Sequence, residues 1–261
     1  MEITLLGSGD AVGMPVPLCE CEYCTASHRR RRPSLLVETS DTALLFDASP
    51  DMAGQLRAGG VTDLDAVFLT HAHYDHSDGL HALTQAGKWP PNHLEASEAF
   101  EPADDAVAPV YASATAHQHL RNTRHYLIPM LDTRTITPRT TEMVGDFQIY
   151  PFAVEHARSA FETLGFAITH GETTVAYAPD VEHFCTAGPI SDVDVLIVEG
   201  AALFGTPLHG PETPLRETIE SVAATNVVLV NLSEHKARMH TADLANAVDY
   251  NLGRDFMTIS P

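Results

Sequence analysis

Short apolar runs closed by Gly, Asp or Pro recur along the chain, separated by stretches whose apolar positions fall at helical spacing. The runs predict strands at Ile3–Leu6, Ser34–Glu38, Ala43–Phe46 and Ala66–Thr70, then at Phe147–Phe152, Leu164–Thr169, Thr173–Ala178, Val195–Val198 and Val227–Val230. Several are apolar throughout rather than alternating, as strands covered on both faces should be. Helices are predicted at Met52–Ala58, Ser77–Gln85, Ala114–Asn122, Leu215–Ala224 and Ala242–Asp249. Thr213 and Thr241 serve as N-caps of the last two, because a hydroxyl there can accept from a free backbone N–H of the first turn. Strands interleaved with helices in two similar halves predict an α/β chain. The stretch from Lys88 to Val107 breaks the rhythm with Pro90, Pro91, Pro102 and five acidic residues, and reads as a surface excursion or lid.

At 261 residues and 44% hydrophobic content the chain is long enough for one large α/β domain or two small ones, and we read it as one domain over 1–261. No apolar run approaches the roughly 20 residues that span a bilayer. The N-terminus, MEITLLGSGDAVG, lacks the basic flank and cleavage site of a signal peptide. Both features predict a cytoplasmic protein without membrane contact. The net charge is −20, from 35 acids against 15 bases, and Lys88 and Lys236 are the only lysines. Such a surface suits a halophile, where salt screens repulsion between carboxylates, or an ordinary acidic cytosolic enzyme. It weighs against a large nucleic-acid footprint, which needs Lys and Arg along one face, although a halophile's nucleic-acid enzymes are acidic too. A homodimer stays open.

Candidate chemistry is concentrated just after the apolar run Ala66–Leu69, where His71, His73, Asp75 and His76 fall within six positions. In an extended segment His71 and His73 lie on one side of the chain, and a turn can bring Asp75 and His76 back to the same point. Imidazole nitrogen with carboxylate oxygen suits Zn, Mn or Fe. A lone His is usually a satisfied core or surface residue; this cluster is not lone. A second cluster is Cys19, Cys21 and Cys24. Neighbours two or three apart bridge poorly as disulfides, and zinc is the better reading than three free thiols on a loop. Cys185 stands alone and reads as buried packing.

The motif His71-x-His73-x-Asp75-His76 at a strand end resembles that of the metallo-β-lactamase fold hydrolases. His156 in FAVEHARSAFETLGF and Asp180 in TTVAYAPD match the family's later ligands, and Asp47 in ALLFDASPD matches an Asp that supports them from behind. The resemblance runs from Leu5-Leu-Gly-Ser-Gly to the final helix. It implies a four-layer αββα sandwich with two divalent ions, Zn or Mn, at one edge of the sheets. His71, His73 and His156 would hold one, Asp75 and His76 the other, with Asp180 between them. Two such metals roughly 3.5–4 Å apart can bind a hydroxide and polarise the substrate at once. The cations make hydroxide available at neutral pH by lowering the pKa of bound water, and Asp75 both ligates and orients it.

The N-terminus, Gly7-Ser-Gly-Asp-Ala-Val-Gly-Met-Pro15 followed by Cys19-x-Cys21-x-x-Cys24, is similar to cyclic phosphodiesterases that open phosphoribosyl 1,2-cyclic phosphate. That resemblance implies a structural zinc on the three cysteines plus a distant His, and a small-molecule phosphodiester as substrate. It also points, by position, to His209 in GTPLHGP as a general acid. An imidazolium with a pKa near 6.5 suits protonation of a departing alkoxide. The bland reading of His209 is an exposed loop residue. The chain departs from these relatives near its end, where they tend to carry Thr-His-x-Ser-His and this chain carries Val230-Asn231-Leu-Ser-Glu234-His235. Without a gap, Asn231 and Glu234 take both His positions. With one inserted residue, His235 closes the zinc site and the second metal is left with Asn231, a weaker ligand. His235 is favoured, with His28 and His240 as alternatives. Three rivals to phosphodiester hydrolysis stand beside it. They are RNA 3′-end processing, thioester or lactam hydrolysis, and a metal-binding homologue without turnover. Transfer-RNA maturation nucleases usually carry an extended RNA-gripping arm, and no insertion here is basic or Gly-rich enough for one.

Overall fold

Alternating burial in the first strands sets up the architecture. In β1 (Glu2–Gly7), β2 (Ser34–Glu38) and β3 (Ala43–Phe46), Ile3, Leu5, Leu35, Val37, Leu44 and Phe46 enter one apolar cluster. Leu6, Leu36 and Leu45 enter another on the opposite face, as a two-residue period requires. A computed structural model describes residues 1–26, 28–88, 108–156, 161–185, 190–206 and 211–261. The expected excursion after Lys88 and the candidate acid His209 lie outside the described residues.

The chain continues through β4 (Ala66–Phe68), β5 (Val110–Ser113), β6 (Thr133–Ile136), β7 (Glu142–Val144) and β8 (Phe147–Glu155). Then follow β9 (Thr163–His170), β10 (Thr173–Ala178), β11 (His183–Phe184), β12 (Asp192–Glu199), β13 (Ala223–Val230), β14 (Asn251–Leu252) and β15 (Met257–Ile259). One sheet has the order β15-β1-β2-β3-β4-β5-β6; the other runs β11-β8-β9-β10-β12-β13-β14, with β7 pairing β8. Between them Phe46 packs on Phe166 and Tyr177 at centroid distances of 5.4 and 6.2 Å. Helices α2 (Met52–Gly59), α4 (Leu80–Lys88) and α5 (Ala114–Thr123) contribute Met52, Leu80, Leu83, Ala116 and Leu120 to the outer cluster of the first sheet. The second sheet's outer face buries Leu196, Val198 and Leu229 against Leu215 and Ile219 of α6 (Glu212–Glu220). The result is the helix–sheet–sheet–helix sandwich expected from the resemblance.

Several elements differ from expectation. The helix predicted over 77–85 is two: α3 (Tyr74–Ser77) and α4, broken at Asp78-Gly79. A Cβ at Gly79 would sit 2.2 Å from the Ser49 carbonyl oxygen, so close approach to the loop after β3 requires glycine there. The helix expected to end at Ala224 stops at Glu220, because Ala223 and Ala224 already pair with β12. Pro211, not Thr213, is the N-cap of α6, and His240, not Thr241, that of α8 (Thr241–Ala247). Thr241 instead donates its hydroxyl to Glu234. Cys185 is exposed, not buried, since it follows β11 at the sheet's edge. The short helices α1 (Glu22–Ala26) and α7 (Glu234–Ala237) carry no apolar periodicity to announce them.

Strand direction positions the chemistry. β3 and β4 are parallel, as are β10, β12 and β13, and β8 shares the direction of β10 through the antiparallel β9. Asp47, His71, His156, Asp180, Glu199 and Asn231 therefore all sit at or just past like ends of strands, on one edge of the sandwich.

Candidate metal centre

Asp47 organises the cluster from beneath. Its backbone is left-handed, with φ 64°, which turns the carboxylate back over the end of β4. It accepts from the Thr70 backbone N–H at 2.8 Å, the Thr70 hydroxyl at 2.9 Å and the Tyr177 hydroxyl at 3.2 Å. It also accepts from His76 Nδ1 at 2.8 Å. A carboxylate only accepts, so His76 Nδ1 carries the proton of that bond and Nε2 is the nitrogen turned toward the centre. Thr70 Oγ1 likewise lies 2.9 Å from His71 Nδ1, and accepting that proton leaves His71 Nε2 bare.

These inward nitrogens converge. His71 Nε2 lies 2.7 Å from His73 Nδ1 and 3.5 Å from Asp180 Oδ2. His76 Nε2 lies 2.6 Å from the same Asp180 oxygen and 3.2 Å from Asp75 Oδ2. Donor atoms of His71, His73 and His156 lie within 4.8 Å of one another, and so do those of His71, His76 and Asp180. His71 thus belongs to both donor sets, with Asp180 beside it in the second. Burial and the charge of His76 hold His71 well below the ordinary imidazole range, and burial and His156 lower His73. Both rings are neutral at pH 7 and keep their lone pairs. Burial alone would lower His76 too, but the carboxylates of Asp47, Asp75 and Asp180 override it and push it well up, so its Nε2 holds a proton toward Asp180 and Asp75 that a bound cation would displace. Burial raises Asp75 and Asp180 less than the surrounding histidines lower them, so both are ionised. Neutral imidazoles facing buried carboxylates are a donor set that a divalent cation of the zinc or manganese kind satisfies.

Cys19, Cys21 and Cys24 converge on His235, with Sγ to Nδ1 distances of 3.5, 3.3 and 3.6 Å. One ring N–H cannot serve three sulfurs. Zn–S and Zn–N bonds of about 2.3 and 2.05 Å at tetrahedral angles predict an S···N edge of about 3.6 Å. The geometry fits zinc. The thiols are divided as well: the Cys24 backbone N–H and His235 lower Cys21 to about 6, whereas burial and the neighbouring cysteines raise Cys24 to about 11. A first thiolate opposes the next, and a cation among them relieves both. His28 is exposed and His240 packs at a tilt on Tyr23, ring centroids 5.1 Å apart, so His235 is the histidine that meets the cysteines. Glu234, which an ungapped match would place there, is wholly buried against Arg30 with contacts of 3.0, 3.0 and 2.8 Å.

Asn231 meets the centre through its amide nitrogen, and its buried Oδ1 has no hydrogen-bond partner among the described residues. Its Nδ2 donates to Asp180 Oδ1, to Glu199 Oε2 at 2.9 Å and to the Pro179 carbonyl at 3.3 Å. Glu199, Thr70, Tyr177 and Arg30 were not singled out from sequence. A legible signal existed for Glu199, an acid closing the apolar run of β12.

The β-lactamase superfamily domain matches residues 42–233, and the chain belongs to that family, the metallo-β-lactamase superfamily of hydrolases. An octanoyltransferase of Porphyromonas gingivalis is 29% identical over 259 residues, 94% of this chain. The chain spans about half, 48%, of that relative's length. A diphosphatase of the PhnP family has a similar structure, with TM-score 0.78 and 21% identity over 99% of this chain and 97% of that one. Zn²⁺-bound PqqB from Methylobacterium extorquens superposes with TM-score 0.73 and 19% identity, covering 100% of both chains. No helix among the described residues is long and apolar enough to cross a membrane.

Proposed function

We propose that the chain is a metal-dependent phosphodiesterase acting on a small or cyclic phosphodiester. The observation that carries this reading is the meeting of Cys19, Cys21 and Cys24 with His235, in a chain that also gathers a histidine and aspartate centre of the hydrolase type. That pairing is what the resemblance to cyclic phosphodiesterases calls for, and a likeness in fold to a PhnP-family diphosphatase supports it.

In this reading His71, His73 and His156 would hold one divalent ion, and Asp75, His76 and Asp180 a second; the cysteine cluster with His235 would hold a structural zinc. The catalytic cations would supply Lewis acidity toward the phosphoryl oxygens and a nucleophilic water at neutral pH. Asp75, ionised and near His76, accepts a hydrogen bond from the attacking water and fixes its direction. The water oxygen bonds to phosphorus, the ester P–O bond breaks, and the alkoxide leaves with a proton. His209 is the proposed donor of that proton.

The test is a substrate panel under one metal condition: a ribose cyclic phosphodiester, bis-nitrophenyl phosphate, a thioester, a lactam and precursor RNA. The phosphodiesters should be turned over with kcat/KM at least 100-fold above the rest. In addition, His209→Ala should lower kcat strongly on an alkyl ester and little on a nitrophenyl ester. Faster turnover of the thioester, the lactam or precursor RNA would overturn the reading.

A further inference from the structure

We infer that Asn231 is a positioning residue that, with Glu199, makes the two halves of the candidate metal centre unequal: a three-imidazole half that retains zinc, and a carboxylate-rich half that takes a harder, exchangeable divalent ion such as Mn²⁺. This rests on the proposed metal centre, not on the identity of the substrate. Asn231 is 1% exposed and sits in the left-handed region, φ 60°, just past β13. Its amide lies between two buried carboxylates, those of Asp180 and Glu199. Turning the amide over would set its oxygen against both anions, so charge fixes the nitrogen toward them. The Oδ1 atom then points away from both and has no donor among the described residues. Glu199 is itself tethered by the Ala201 backbone N–H at 2.7 Å. A relay from Ala201 through Glu199 and Asn231 thereby holds Asp180 Oδ1, leaving Oδ2 alone to face His76 and His71.

The consequence is a difference in donors. One half gathers the imidazoles of His71, His73 and His156. The other has His76 as its own imidazole, with the oxygens of Asp75 and Asp180. Imidazole sets favour zinc, whereas carboxylate and water oxygens suit Mn²⁺ and similar hard ions. Asn231 adds no imidazole to the second half; it spends its donors on keeping Asp180 in place.

The experiment counts metals rather than turnover. Purified full chain is dialysed against metal-free buffer, its zinc measured by plasma mass spectrometry, and Mn²⁺ then titrated by electron paramagnetic resonance. Wild type should keep two zinc ions, one of them at the cysteines, and bind one exchangeable Mn²⁺. Asn231→His should retain a third zinc through dialysis. Glu199→Gln, the variant read if Asn231→His does not fold, should keep two zinc ions and bind Mn²⁺ about 10–100-fold more weakly, the usual effect of losing a partner behind a ligand. Three zinc ions in dialysed wild type, or a folded variant titrating like wild type, would overturn the inference. His73→Ala separates the two readings: if it loses no zinc, the proposed centre itself is wrong.

Discussion

His76 Nδ1 sits 2.8 Å from Asp47 Oδ2, and Asp47 reaches that position only through a left-handed backbone. Asp and Asn tolerate that conformation better than other non-glycine residues. Asp47→Asn should therefore keep the fold while losing the charge that fixes the His76 tautomer. Metal affinity should fall about 10–100-fold in Asp47→Asn and in Asp47→Ala. Asp47→Ala alone should also lose about 1 kcal/mol or more of stability to backbone strain. Competitive zinc titration and melting curves on the two variants check both statements.

The cysteine cluster joins distant parts of the chain, since Cys24 lies in α1 and His235 in α7. Cys24→Ser or His235→Ala should remove one zinc and raise hydrogen exchange over residues 19–26, leaving the zinc at the His71 centre in place. A disulfide among Cys19, Cys21 and Cys24, or an unchanged zinc count, would contradict the assignment.

Arg30 and Glu234 form a buried pair, 4% and 0% exposed, beside that cluster. Breaking it with Glu234→Gln should destabilise the protein by about 3–5 kcal/mol, the usual cost of leaving one charge buried and unpaired. Burial raises the Glu234 carboxyl, but hydrogen bonds and charge from Arg30 outweigh that and lower it. A lowered folded value contributes stability that is full above the unfolded pKa of about 4.3 and is lost as pH falls through the folded value. Below about pH 4 the melting temperature of wild type should thus fall more steeply than that of Glu234→Gln.

The sequence made the sandwich and the histidine cluster legible for a physical reason. Apolar runs such as Leu35–Val37 and Val195–Val198 are covered on both faces, and ligand residues spaced as His71, His73, Asp75 and His76 have little other use. The edge strands β11, β14 and β15 were missed because two or three half-solvated residues leave no period to read. His235 is favoured over Glu234 in the sequence only if one residue is inserted, and α7 shows why the insertion holds: it turns Glu234 toward Arg30 and His235 toward Cys21. The role of Asn231 depends on Glu199, 32 positions away, and no local pattern joins them.

The acidic surface has its own consequence. With a net charge of −20, repulsion between carboxylates should be screened as salt rises, and stability should increase with KCl into the molar range. Thermal melts across a KCl series test this; a flat or falling melting temperature would remove the halophile reading.

The central claim is that the centre built on His71, His73, Asp75, His76, His156 and Asp180 performs hydrolysis. Its most direct test measures turnover of bis-nitrophenyl phosphate, bound metal and melting temperature together in His73→Ala and Asp75→Ala. The account predicts at least about 10³-fold loss of kcat/KM, beyond the 10²–10⁴ range's lower end for one proton-transfer group. It also predicts less bound metal than in wild type and a largely intact fold. Near-normal turnover in either variant would contradict it.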